Sequence, residues 1–166
     1  MIEKIKQLVL ETAEILTQQQ LMLATAESCT GGGLSYWLTS VPGSSAWFDR
    51  GFVTYSNAAK IDMLEIETAL LQQFGAVSQE IACDMAQKTL QKSLATVSIA
   101  ITGIAGPEGG SEQKPVGTVW IAWGRRHHAP YCEKNIFAGD RQQIRLATIA
   151  KALEKLVEMI SLHDKN

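Results

Sequence analysis

No stretch of this 166-residue chain stays apolar long enough to cross a bilayer, so a membrane span is not expected. An excess of either charge is missing too. Lys and Arg number 15 against 17 Asp and Glu, and the basic residues are scattered, so there is no stripe of the kind that tracks a nucleic-acid backbone. Cysteine is sparse: Cys29, Cys83 and Cys132 are an odd number at wide spacing without a paired motif, which argues against a disulfide framework and a zinc site. Histidine is equally scarce. His127 and His128 are neighbours on an expected hairpin, where they would point to opposite faces, and His163 lies in the tail, so no metal site is expected. Met1 to Leu10 alternates charged and apolar residues at helical spacing and lacks the uncharged core of a signal peptide, which makes the cytoplasm the expected compartment.

What is present is an ordinary globular composition, 46% apolar and 19% charged, of a length that suits one domain over residues 1–166. Apolar residues from Ile2 to Leu16 recur at helical period, predicting a helix over about Ile2 to Gln20. Leu21 to Ala26 reads as a short strand and Thr30 to Thr39 as a helix. Phe48 to Tyr55 reads as a strand followed by a helix capped by Ser56 or Asn57, and Ser78 caps a helix reaching about Leu94. The apolar, β-rich run Val97 to Thr102 suits a central strand covered on both faces. Val116 to Trp123 and Tyr131 to Phe137 form a hairpin, and Asp140 caps a last helix from Arg141 to Ile160. Strands alternating with helices and ending in a hairpin predict an α/β fold, a three-layer α/β/α sandwich with a mixed, mainly parallel sheet.

Ligands of open α/β sheets gather beyond the carboxyl ends of strands. Three such ends here are rich in hydroxyls, glycine or lysine: Ser28 to Gly33, Tyr55 to Lys60, and Thr102 to Gly110. The first is expected to start a helix, whose free N–H groups favour an anion or a developing oxyanion. Ser28 alone reads as a helix cap, but a serine becomes a nucleophile beside a base, and a desolvated Lys60, next to Ile61 and Met63, can be that base. Tyr55 either relays a proton to the lysine or simply packs. Cys29 is the rival nucleophile, or a small buried thiol. Arg141, in a first helical turn, leans on Asp140 or faces an anion, and Arg145 lies on the same helix face. The glycine runs match neither a Walker loop nor the dinucleotide fingerprint.

Six motifs follow one another: Ala26-Glu27-Ser28-Cys29-Thr30-Gly31-Gly32, Tyr55-Ser56-Asn57-Ala58-Ala59-Lys60, Gly75-Ala76-Val77-Ser78, Thr102-Gly103-Ile104-Ala105-Gly106-Pro107, Lys114-Pro115-Val116-Gly117-Thr118-Val119 and Gly139-Asp140-Arg141. On these the chain resembles the CinA C-terminal family, the stand-alone nicotinamide-nucleotide amidases. The resemblance implies cofactor-independent hydrolysis of the carboxamide of nicotinamide mononucleotide to nicotinate mononucleotide and ammonia, in pyridine-nucleotide recycling. It implies Ser28 as nucleophile and Lys60 as base, with Tyr55 assisting. Backbone amides of Thr30, Gly31 and Gly32, or of Gly103 to Ala105, are then candidates for the oxyanion hole, with Thr102 beside them, and a helix N-terminus with Arg141 for the substrate phosphate. Ala58 stands where many members have Glu, and Leu64-Glu65-Ile66 where many have Leu-Gly-Val. A homo-oligomer is expected, with Trp37, Trp47 and Trp120 available for an interface. The rival from another class is a nucleotide-binding regulatory module that catalyses nothing.

Overall fold

The fold was analysed in a computed structural model that describes residues 1–161; His163 and the last residues of the expected domain lie outside them. The helix α1 (Ile2–Gln18) buries Ile5, Leu8, Val9, Thr12 and Leu16, the stripe its period requires. It leads into β1 (Leu23–Glu27), buried at all five positions. The chain continues through α2 (Gly33–Leu38), β2 (Phe48–Val53), α3 (Asn57–Leu64), α4 (Thr68–Phe74), α5 (Gln79–Gln91), β3 (Val97–Gly103), β4 (Thr118–Arg125), β5 (Tyr131–Ile136) and α6 (Arg141–Ser161). The expected caps are made. Ser56 Oγ accepts the Ala59 N–H at 3.0 Å and Ser78 Oγ that of Ile81 at 3.4 Å. Asp140 Oδ1 accepts the Gln143 N–H at 2.9 Å while Gln143 Oε1 accepts that of Asp140 at 2.8 Å, a reciprocal capping box.

The five strands lie in the order β2-β1-β3-β4-β5. β1 runs parallel to β2 and β3, β4 is antiparallel to β3, and β5 to β4. β4 alone is therefore reversed, and the sheet is mainly parallel, as expected. From β1 the chain passes outward to β2, then crosses back to β3 on the other side of β1. That change of direction is a topological switch point, and it opens a crevice between the carboxyl ends of β1 and β3.

The two faces of the sheet differ. Leu23, Val97, Ile99, Ile101, Val119, Ile121 and Trp123 face α1, α2 and α6 in one core cluster. Ala26, Ala100 and Ala122 face α3, α4 and α5 in the other. Small residues let α5 come close: Ser98 Oγ donates to the Ala86 carbonyl at 2.9 Å, and a Cβ on Gly124 would overlap Ser98.

Three expectations need correction. The second helix begins at Gly33, not Thr30, because Gly31 (φ +57) and Gly32 (φ +88) adopt left-handed backbone that a helix cannot contain. Ser28 therefore caps no helix. His127 and His128 belong to the turn after β4, with His127 at φ +68, and not to opposed ladder positions. Trp47 is buried in the first cluster, which removes it from any interface, while Trp37 and Trp120 pack half-buried against the two cores.

Gly117, at φ +92, joins the glycine-rich loop to the end of β5: its N–H reaches the Ile104 carbonyl and its own carbonyl accepts the Phe137 N–H. A Cβ there would overlap the Phe137 carbonyl oxygen, whereas at Gly43 (φ +80) a Cβ meets nothing within 4 Å. Gly117→Ala should cost about 2–5 kcal/mol of unfolding free energy in urea, from strain plus overlap. Gly43→Ala should cost only about 1–2 kcal/mol.

Candidate active site

A cavity of about 290 Å³ opens at the switch point. Ser28, Cys29, Tyr55, Lys60, Thr102, Gly103, Ala105 and Arg141 line it, together with Asn57, Ala76, Val77 and Glu108. Its volume lies at the lower end of small-molecule sites, about 300–1,000 Å³. Five of the six motifs thus converge on one space, the exception being Lys114 to Val119. Thr30, Gly31 and Gly32 do not line it.

At its centre Lys60 Nζ lies 3.1 Å from Ser28 Oγ and donates to the Thr54 carbonyl at 2.9 Å. Ser28 Oγ in turn donates to the Tyr55 carbonyl at 3.3 Å. Ser28 follows directly from β1, its N–H bonded to the Ile101 carbonyl of β3 at 3.0 Å, and Lys60 rises from the first turn of α3. Lys60 is 1% exposed, and among the described residues no carboxylate pairs with it. Burial lowers its pKa, an effect only partly opposed by the neighbouring Cys29. The desolvation does not come from Met63, which is exposed. A neutral amine can keep one N–H on Thr54 and turn its lone pair to the serine hydroxyl, the geometry of a general base.

Cys29 also borders the cavity, but burial pushes its thiol up to about 12, and Glu27 adds to that rise. At neutral pH it is a protonated thiol and a poor nucleophile. Cys83 of α5 and Cys132 of β5 lie close enough to affect one another's ionisation, a proximity their spacing did not reveal, and all three cysteines are free.

Tyr55 meets the serine through its backbone carbonyl. Its side chain is over half exposed, and its hydroxyl accepts from Arg141 Nη2 at 2.7 Å. Arg141 Nη1 donates to the Gly106 carbonyl at 2.7 Å, so this arginine bridges the two lips of the cavity and does not lean on Asp140. Thr102 Oγ1 donates to the Ala76 carbonyl at 2.7 Å and holds the Ala76-Val77 wall in place. Of the amides considered for an oxyanion hole, that of Gly31 already bonds Ser28 O and that of Ile104 bonds Thr118 O. The Ala105 amide borders the cavity and has no partner among the described residues.

Sequence reasoning passed over Glu27, although it stands in the first motif. Its side chain is fully buried at the end of β1. Oε2 accepts the Leu34 N–H at 2.9 Å, and Oε1 accepts the Ser35 N–H at 2.8 Å and the Ser35 hydroxyl at 2.7 Å. The start of α2 is therefore occupied by an acceptor from the chain itself and is not open to a ligand's anion, contrary to expectation. An acid closing an otherwise uncharged, largely apolar strand was the available signal, since a buried carboxylate requires donors nearby. Among the departures from the family pattern, Ala58 is exposed, and Glu65 occupies a left-handed position (φ +58) after α3 where glycine fits without strain. Glu65 pairs with Lys92, while Leu64 and Ile66 are buried beside it.

A family model for the CinA C-terminal domain matches residues 5–160. The chain is 47% identical to the nicotinamide-nucleotide amidohydrolase PncC of Pseudomonas putida, over 88% of this chain and 91% of that one. It is 43% identical to the protein of the same name from Escherichia coli K12, over 92% and 93%. Among solved structures, the competence/damage inducible protein CihA from Agrobacterium tumefaciens superposes with a TM-score of 0.91 at 46% identity, covering 93% of this chain and 94% of that one.

The depressed pKa of Lys60 has a consequence for stability. Between its folded pKa and the ordinary 10.5 the unfolded chain holds the extra proton, so this residue makes stability rise with pH across that window. Lys60→Met should be more stable than wild type below the window, and the advantage should shrink steadily through it. Urea unfolding of both proteins across alkaline pH measures the difference; a pH-independent gap would mean that Lys60 is not desolvated.

Proposed function

The chain belongs to the CinA C-terminal domain family, and from that premise we propose that it hydrolyses the carboxamide of nicotinamide mononucleotide, giving nicotinate mononucleotide and ammonia for pyridine-nucleotide recycling, with Ser28 as nucleophile and Lys60 as base. The observation that carries this reading is the 3.1 Å contact between Ser28 Oγ and a buried lysine that has no counter-ion among the described residues. A lysine kept for charge alone would be better served by a carboxylate or by water.

Neutral Lys60 removes the proton as Ser28 Oγ attacks the amide carbon. The resulting ammonium returns that proton to the leaving nitrogen, ammonia departs, and an ester to Ser28 remains. Lys60, neutral again, deprotonates a water that attacks the ester; it returns that proton to Ser28 Oγ as the acyl C–O bond breaks, and the freed carboxylic acid ionises to the carboxylate in water. The Ala105 amide is the oxyanion donor we favour, because Ala105 borders the cavity and its N–H lacks a partner among the described residues, whereas that of Ile104 is engaged. No step draws on a cofactor.

The capping box of α6 supplies its own acceptors, so the substrate phosphate is assigned to the Arg141 guanidinium and to the Tyr55 hydroxyl, whose proton remains free to be donated. Tyr55 thereby acts on substrate position, and its backbone carbonyl on the serine.

Ammonia release from nicotinamide mononucleotide is expected to survive in Cys29→Ala and to be lost in Ser28→Ala and Lys60→Ala. Full activity in Ser28→Ala overturns the mechanism, and a folded wild type that binds the nucleotide without releasing ammonia is the regulatory module instead. Because the base must be neutral, kcat/KM should climb with pH through the depressed pKa of Lys60. Arg141→Ala should lower kcat/KM for the mononucleotide about 10–100-fold while leaving the phosphate-free riboside nearly unchanged, as expected for loss of a charge-assisted hydrogen bond. Equal losses on both substrates would remove the phosphate assignment.

A further inference from the structure

The turn that presents Ser28 is short and held on few bonds. The Gly31 N–H reaches the Ser28 carbonyl at 2.9 Å and the Gly33 N–H the Thr30 carbonyl at 3.0 Å, with Gly31 and Gly32 both left-handed. Glycine permits this path but does not enforce it. Behind the turn, on the side away from the active-site cavity, stands Arg145 of α6. Its Nη2 donates to the Thr30 carbonyl at 2.7 Å and lies against Gly31 and Gly33, where a Cβ would come within 3.6 and 3.9 Å of it. Its Nε is buried without a hydrogen-bond partner among the described residues, so the guanidinium keeps this place at some cost in unsatisfied polarity. It borders a separate small cavity with Gly33, Trp37 and Gln142 and does not line the active site. Its positive charge is nonetheless felt at Cys29, the residue after the nucleophile.

We infer that Arg145 is a positioning residue: by taking the Thr30 carbonyl from behind, it locks the Cys29 to Gly32 turn in the one conformation that delivers Ser28 Oγ to Lys60. The Ser28 backbone is fixed on one side by β1 and β3 and on the other by this turn, whose far end Glu27 clamps at Leu34 and Ser35, so slack in between becomes misalignment of the hydroxyl with the amine. An error of about 1 Å at a reacting atom can cost about 100-fold in rate. The inference rests on the reading of Ser28 as the nucleophile.

The test compares wild type with Arg145→Met, Arg145→Lys and Ser28→Ala, using steady-state kinetics with nicotinamide mononucleotide and, independently of that substrate, the rate at which a serine-directed fluorophosphonate labels the protein. All rates are normalised to the folded fraction from urea unfolding. Arg145→Met should lose about 10–100-fold in kcat and in labelling rate. KM should stay within about threefold, and the rising limb of the pH profile should not move. Arg145→Lys, which retains a donor for the carbonyl, should recover a large part of both rates. Unchanged kcat and labelling in folded Arg145→Met overturn the inference, as does a loss confined to KM, which would make Arg145 a substrate contact. If Ser28→Ala is still active or still labelled, the nucleophile assignment has failed; if Ser28→Ala is inert while Arg145→Met is unimpaired, the nucleophile stands and the role of Arg145 alone falls.

Discussion

Three hydrogen bonds accepted by the Glu27 side chain hold the site together. A strand that ends in a buried acid must find donors at once, and the nearest are the free N–H groups where α2 begins. Reaching them obliges the chain to fold back within a few residues, and the left-handed glycines make that possible. The same bonds that satisfy Glu27 therefore turn Ser28 outward at the head of the sheet. An amide in place of this acid would keep the volume but set a donor against donors, so the arrangement depends on the acid itself.

Lys60 is the opposite case. Its amine is nearly as buried, yet it meets a carbonyl and a hydroxyl and, among the described residues, no charge. An isolated ammonium is costly to bury, and the chain lessens that cost by making the proton easy to lose. Cys29, one residue from the nucleophile and also buried, shows the same desolvation acting on the other kind of group: the effect that loosens the amine's hold on its proton also keeps the thiol protonated. One low-dielectric pocket thus separates the two candidate nucleophiles.

The order and type of the main elements were legible because period-2 and period-3.6 patterns survive in any context that buries one face, and the caps Ser56, Ser78 and Asp140 stood where their helices begin. The start of α2 was not, since Thr30 to Gly32 reads equally well as a helical turn and as a left-handed one until Glu27 is known to need the amides of Leu34 and Ser35. Of the site, the residue types were legible and the resemblance put Ser28 with Lys60; the separation of β1 from α3 along the chain says nothing about contact, which follows from the sheet order. The roles of Tyr55 and Arg141 were legible only in part. A hydrogen bond between residues on different elements, such as Arg141 to Tyr55, or a carbonyl contact such as Thr54 to Lys60, depends on tertiary packing and leaves no periodic trace.

The unequal faces of the sheet carry a last consequence. On the side of α5 the strands present alanine, serine and glycine, and the helix backbone rests almost on the sheet. The segment just before that helix, tied by Ala76 to Thr102, forms one wall of the cavity. The wall is thus set at a standoff gauged by side chains no substrate ever meets, and the depth of the binding space is inherited from the thinness of a packing layer beneath it. Selection on what the cavity admits can act there, on the girth of buried methyl groups, without touching a single group that takes part in the chemistry.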